Sequence, residues 1–146
     1  MAIRKKVLVV DDVAISLSVA EQALREYYEV ITVNSGSRAL RYLHREKPDL
    51  ILLDIRMEGM DGIETLKAIR EMDDRADIPV IMLTAQGDKA LVLETAKLGV
   101  YNYMLKPFAP QELLKRVHAA LKESGQSGSL RYSLEEGLKQ FLEENF

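Results

Sequence analysis

The sequence predicts an α/β fold: a doubly wound, five-stranded parallel sheet with helices on both faces, followed by a linker and a short C-terminal helix. Three observations carry this. Short apolar runs alternate with segments of helical period, five times over. Such alternation selects parallel strands joined by crossover helices. The runs Val7-Leu8-Val9-Val10, Leu50-Ile51-Leu52-Leu53 and Val80-Ile81-Met82-Leu83 are apolar throughout, as strands buried on both faces require. Finally, Ser124-Gly125-Gln126-Ser127-Gly128-Ser129 has the composition of a flexible linker. The main domain is therefore expected over 1–123, the linker over 124–129 and an amphipathic helix over 130–146.

The first strand is Val7-Leu8-Val9-Val10, ending in Asp11-Asp12. A helix is expected from about Ala14 to Glu26, with Leu17, Ala20, Ala23 and Leu24 on one face. Val30-Ile31-Thr32-Val33 is β-branched and reads as the second strand. Ser35 is a natural N-cap for a helix carrying Ala39, Leu40 and Leu43, and Pro48 ends that unit. The third strand closes in Asp54. A loop containing Gly59 and Gly62 follows, then a helix with Ile63, Leu66, Ala68 and Ile69. The fourth strand ends in Thr84. Asp88 is placed to cap the fourth helix, which stops at Gly99. Three consecutive apolar residues in that helix, Leu91-Val92-Leu93, cannot all face the sheet. Tyr103-Met104-Leu105 is the fifth strand, ending in Lys106, and Pro110 opens the fifth helix. Beyond the linker, Leu130, Leu134, Leu138, Phe141 and Leu142 recur at helical spacing, and Ser133-Leu134-Glu135-Glu136 matches a capping box.

Composition removes several function classes. The chain has 146 residues, 47% hydrophobic and 29% charged, with a net charge of −3, which gives no electrostatic reason to expect nucleic-acid binding. It has no cysteine, so disulfides and thiolate metal sites are excluded. Only His44 and His118 could offer imidazole, and they are far apart in sequence, which argues against a histidine zinc site. No apolar stretch approaches membrane-spanning length, and the start lacks a signal-peptide core. A cytoplasmic location is the default expectation, with no membrane partner.

A carboxylate that closes an apolar strand cannot be core, because burying an unpaired charge costs several kcal/mol. Asp54 is that residue. In strand order 2-1-3-4-5, Asp11, Asp12, Asp54, Thr84 and Lys106 all lie at one end of the sheet, where open α/β sheets bind ligands. A like-charged pair about 4 Å apart costs roughly 4 kcal/mol at an effective dielectric near 20. One lysine does not neutralise three carboxylates. All the ligands are hard oxygens, which selects Mg²⁺, or Mn²⁺, over zinc. Such a set has the parts for phosphoryl transfer: Asp54 as nucleophile, the cation and Lys106 against the phosphoryl oxygens, Thr84 as hydrogen-bond donor.

At these residues the chain resembles the response-regulator receiver domains of two-component signalling, the CheY-like superfamily, whose sheet is flavodoxin-like. The matching residues are Asp11-Asp12, Asp54, Met57, Met60-Asp61-Gly62, Leu83-Thr84-Ala85, Ala96, Gly99, Tyr103 and Lys106-Pro107-Phe108, spread over about residues 5–123. The resemblance implies that Asp54 accepts a phosphoryl group from a phosphohistidine on a sensor histidine kinase or histidine phosphotransfer protein. It implies that Asp12, Asp54 and the backbone carbonyl of Arg56 hold Mg²⁺, with Asp11 reaching it through water. It further implies that Thr84 and Tyr103 form the switch pair, that the Lys106–Pro107 bond is cis, and that the face of helix 4, strand 5 and helix 5 contacts a downstream protein. That face could also serve a homodimer. The chain departs from the family pattern at Glu58, where proline is usual, and a more mobile loop is expected there.

Each of these residues has a plainer reading alone: Asp11-Asp12 as a helix cap, Thr84 as a strand end, Tyr103 as a half-buried strand tyrosine. The constellation is what lifts them. One alternative is an aspartyl-nucleophile, Mg²⁺-dependent phosphatase resembling the haloacid-dehalogenase family. Those enzymes carry a second aspartate two residues after the nucleophile, where this chain has Arg56. A flavin module on the same architecture needs a Ser/Thr/Gly-rich loop after strand 1, where two aspartates stand. The expectation is therefore a phosphoacceptor and not a turnover enzyme. Residues 130–146 are too few for a DNA-reading domain, so direct nucleic-acid binding is not expected: either the chain acts by protein contact, with 130–146 an interaction element, or it is a receiver cut from a longer protein, with 130–146 the start of an output region.

Overall fold

The chain order is β1 (Lys6–Val10), α1 (Ala14–Leu24), β2 (Glu29–Val33), α2 (Gly36–Arg45), β3 (Leu50–Asp54), α3 (Gly62–Glu71), β4 (Val80–Thr84), α4 (Lys89–Ala96), β5 (Asn102–Leu105), α5 (Pro110–Glu123) and α6 (Leu130–Asn145). This computed structural model describes residues 3–123 and 130–146, with side chains over 3–122 and 138–146. The linker expected over 124–129 lies outside the described residues. The strands form one parallel sheet in the order β2-β1-β3-β4-β5.

Side chains that alternate along each strand feed two separate cores. Leu8, Val10, Ile51, Leu53, Val80, Met82 and Tyr103 face one layer, with Ala39 and Leu43 of α2, Leu66 and Ile69 of α3, and Val92 of α4. Val7, Val9, Leu50, Leu52, Ile81, Leu83 and Met104 face the other, with Ala20 and Leu24 of α1 and Leu113 and Val117 of α5. Each fully buried branched side chain contributes about 1.5–3 kcal/mol relative to exposure. This double burial explains why the strands read as unbroken apolar runs.

The helix starts follow local chemistry. Ser35 caps α2 by accepting from the Arg38 amide at 3.1 Å. Asp61 caps α3 by accepting from the Glu64 amide at 2.9 Å. α1 ends at Leu24, short of Glu26, because the chain turns there and the Tyr28 amide bonds back to the Leu24 carbonyl. Asp88 stands at the N-cap position of α4, yet its side chain caps no amide of that helix. α6 begins at Leu130, upstream of Ser133, so the capping-box motif does not mark its start.

Two interactions tie the layers. Arg70 on α3 donates to four backbone carbonyls, those of Ala76, Ile78, Leu98 and Gly99, at 2.6–3.1 Å. Gly99 has φ of 81°, a left-handed conformation that suits glycine after α4. The hydroxyl of Tyr28 lies 2.7 Å from Nδ1 of His118, joining the end of α1 to α5. α6 packs on β5: Phe141 is buried in the first core, with Leu138 and Leu142 beside it. On α4, Val92 is fully buried whereas Leu93 is 43% exposed. No helix among the described residues is long and apolar enough to cross a membrane.

Candidate functional site

The parallel register brings the polar strand ends together. Val10 pairs with Leu53, so Asp11 and Asp54 leave adjacent strands at the same level. Thr84 pairs with Leu105, which places Lys106 just beyond Thr84. Asp11 is fully buried and Asp54 is 4% exposed, while Asp12 faces solvent. Carboxylate oxygens of Asp11, Asp12 and Asp54 lie within 4.8 Å of one another. Lys106 Nζ donates to Asp11 Oδ2 at 2.8 Å and approaches Asp54 Oδ2 at 3.3 Å. The peptide bond between Lys106 and Pro107 is cis.

The electrostatics are unbalanced. Burial first, and the Asp11 carboxylate second, push the Asp54 carboxyl up to about 7 against the pull of Lys106. Burial works against the Lys106 charge, yet Asp11 and Asp54 outweigh it and hold the ammonium above its ordinary range. One half-buried cation therefore leaves the carboxylates short of positive charge. The all-oxygen donor set and this deficit fit a hard divalent cation.

The loop after β3 is tied to the site by its own backbone. The Arg56 amide donates to Asp54 Oδ1 at 3.3 Å. The Glu58 amide donates to Asp12 Oδ2 at 3.0 Å. A proline at 58 would have no N–H to give. The Glu58 backbone therefore makes a bond to Asp12 that the usual proline could not. Gly62 sits so close to the backbone of Asp54 and Ile55 that a Cβ would collide with the Asp54 carbonyl. The start of α3 is thereby pressed against the end of β3.

Thr84 and Tyr103 share the α4 face of the sheet, because Thr84 and Met82 alternate on that side and Met82 pairs with Tyr103. Neither is hydrogen-bonded to the carboxylate cluster. Thr84 Oγ1 donates to Asp88 Oδ2 at 3.0 Å. Tyr103 is 1% exposed, with its hydroxyl 2.9 Å from Thr95 Oγ1 and 3.1 Å from the Val92 carbonyl. Burial pushes its phenol up to about 12. The structure thus joins Asp11, Asp12, Asp54, Lys106 and the Arg56 amide, and bonds Thr84 to Asp88 and Tyr103 to Thr95 and the Val92 carbonyl. Sequence reasoning missed Asp88, Thr95 and Phe141 as their partners. The nearness of Asp88 to Thr84 in the chain was the one available signal.

Residues 7–118 match the family described as Response regulator receiver domain. The chain is 44% identical over 124 residues to the alkaline phosphatase synthesis transcriptional regulatory protein PhoP of Bacillus subtilis, covering 82% of this chain and 50% of that protein. It is 35% identical over 122 residues to the DNA-binding response regulator MtrA of Mycolicibacterium paratuberculosis, covering 83% and 53%. The chain therefore spans about half the length of these curated relatives. Among solved structures, a CheY-like receiver domain protein from Methanospirillum hungatei superposes with a TM-score of 0.80 at 28% identity, covering 86% of this chain and 99% of that one. A response regulator from Thermotoga maritima gives 0.72 at 33% identity, covering 82% and 99%. With its sheet order, its acidic cluster and this match over most of its length, the chain belongs to the response-regulator receiver domain family.

Proposed function

We propose that the chain is a phosphorylation-controlled switch in a two-component relay, with Asp54 as the phosphoacceptor. The observation that carries this is the nearly buried Asp54 carboxylate at the tip of β3, beside Lys106 and within 4.8 Å of two further carboxylates. A carboxylate oxygen of Asp54 attacks the phosphorus of a phosphohistidine on a sensor kinase or phosphotransfer protein. The P–N bond breaks, its electron pair returns to the imidazole, and an acyl phosphate forms on Asp54. Lys106 neutralises charge on the transferred group. Mg²⁺, or Mn²⁺, would be held by Asp12, Asp54 and the Arg56 carbonyl, with Asp11 reaching it through water, and would supply further positive charge at the phosphoryl oxygens.

The new phosphoryl group offers strong acceptor oxygens beside β4. Thr84 leaves Asp88 and donates to one of them, and Tyr103 reads the space that Thr84 vacates. The change reaches the face of α4, β5 and α5, where a downstream protein or a second copy docks. Residues 1–123 act as the receiver and residues 130–146 as an interaction element against β5. Turnover on free phosphoesters is not expected, because no acid stands at position 56.

Intact-mass measurement after acetyl phosphate and Mg²⁺ tests the reading. Wild type gains one phosphoryl group and Asp54→Asn gains none. Equal labelling of both proteins, or none of wild type, would overturn it.

A further inference from the structure

We infer that Asp88 is a positioning residue that holds Thr84 off the phosphoryl site and sets how readily the switch closes. Asp88 is a carboxylate only 3% exposed, at a position where an aspartate ordinarily caps the following helix. Here it turns back toward β4. Its Oδ2 accepts from Thr84 Oγ1 at 3.0 Å and from the Ala85 amide at 3.0 Å. Its Oδ1 accepts from Arg56 Nε at 2.6 Å. The helix gives up a side-chain cap, and the carboxylate gains three donors on the site side.

Thr84 has one hydroxyl proton to donate. A second acceptor, the Ala85 carbonyl, lies at 3.5 Å, too long to compete. While the proton lies on Asp88 it cannot be given to a phosphoryl oxygen. Closing the switch therefore exchanges one charged acceptor for another, and Asp88 sets the cost of that exchange. Asp88 survives the loss of Thr84 with its charge compensated, because Arg56 and the Ala85 amide stay in place. Arg56 also lends the tie a direct link to the nucleophile, since its own amide donates to Asp54. One carboxylate thus grips the donor of the switch and the residue two beyond the phosphoacceptor.

This rests on the reading of Asp54 and Thr84 as a phosphoryl site, and the experiment separates the two. Beryllofluoride affinity in the presence of Mg²⁺ is measured by calorimetry for wild type, Asp88→Ala, Thr84→Ala and the double variant, with thermal melts as a check on folding. Absence of binding by wild type overturns the phosphoryl-site reading itself. If wild type binds, Asp88→Ala is expected to bind about tenfold tighter, the factor for releasing one hydrogen bond to a charged acceptor. The gain should vanish in the Thr84→Ala background, which a merely structural role for Asp88 would not produce. Unchanged or weaker binding by folded Asp88→Ala, or a gain that persists without Thr84, overturns the inference. If Asp88→Ala does not fold, Asp88→Asn keeps the shape and weakens the tie by removing its charge. A several-fold gain in that variant supports the latch, and no gain overturns it.

Discussion

The ring of Phe141 on α6 lies over the ring of Tyr103 on β5, with centroids 5.4 Å apart and planes tilted by 31°. The last helix of the chain thus covers the tyrosine that the switch is proposed to move. Phe141→Ala should lower stability by about 2–3 kcal/mol, the value of one buried aromatic. It should also raise hydrogen exchange in both α6 and β5. Denaturant unfolding and exchange by mass spectrometry measure the two effects. Unchanged exchange in β5 would show that α6 lends the strand no support.

Asp54 gives a pH signature in the metal-free protein. Its carboxyl stands at about 7 when folded, against an ordinary 3.8, so the folded state keeps a proton that the unfolded chain has lost in that window. The stability this group supplies is complete below 3.8 and is lost as pH rises through about 7. Asp11, Asp12 and Lys106 are the charged groups that share the site. In EDTA, Asp54→Asn should therefore melt higher than wild type at pH 8, and the gap should close toward pH 5. A gap that widens on acidification would contradict the cause assigned here.

Lys106 is the one cation bonded to Asp11 and Asp54 among the described residues. Lys106→Met should slow phosphorylation by acetyl phosphate by about a hundredfold, the scale for losing one charge at a developing anion. Folding should also suffer most at neutral pH without Mg²⁺. Rates close to wild type would remove Lys106 from the chemistry.

Glu58 can be tested through its amide alone. Glu58→Pro removes the donor to Asp12 and should weaken Mg²⁺ binding by about tenfold, as loss of a group that orients a ligand does. Glu58→Ala keeps the N–H and should bind as wild type does. Calorimetry with Mg²⁺ distinguishes the pair, and equal weakening in both would assign the effect to the side chain.

Arg70 serves four carbonyls with one planar guanidinium. A lysine has the charge but not the fork. Arg70→Lys should cost about 2 kcal/mol, from backbone acceptors left without a donor. A urea midpoint equal to wild type would show that water replaces those bonds freely.

The strands and their polar ends were legible because double burial leaves an unbroken apolar run, and a charge at its tip stands out. Asp54, Asp11 and Lys106 could be read that way. The tie from Glu58 to Asp12 could not be read, because it is a main-chain N–H and the side chain says nothing about it. Asp88 carried an ordinary capping signal, and only the approach of Arg56, 32 residues away in the chain, revealed what its carboxylate faces. Leu91-Val92-Leu93 correctly announced an outward apolar residue, since a helix on a sheet has one buried stripe. The seat of α6 had no local signal at all: its period gave an amphipathic helix, and the partner of its apolar side was settled by packing on Tyr103.

Among the described residues β5 has β4 as its single neighbour in the sheet, so one side of its backbone has no ladder partner there. An open strand edge of this kind is where sheets from different molecules join. α6 packs against that strand through Phe141, whose ring lies over Tyr103. Lifting α6 from Tyr103 would therefore uncover a buried aromatic side chain on the edge strand of the sheet.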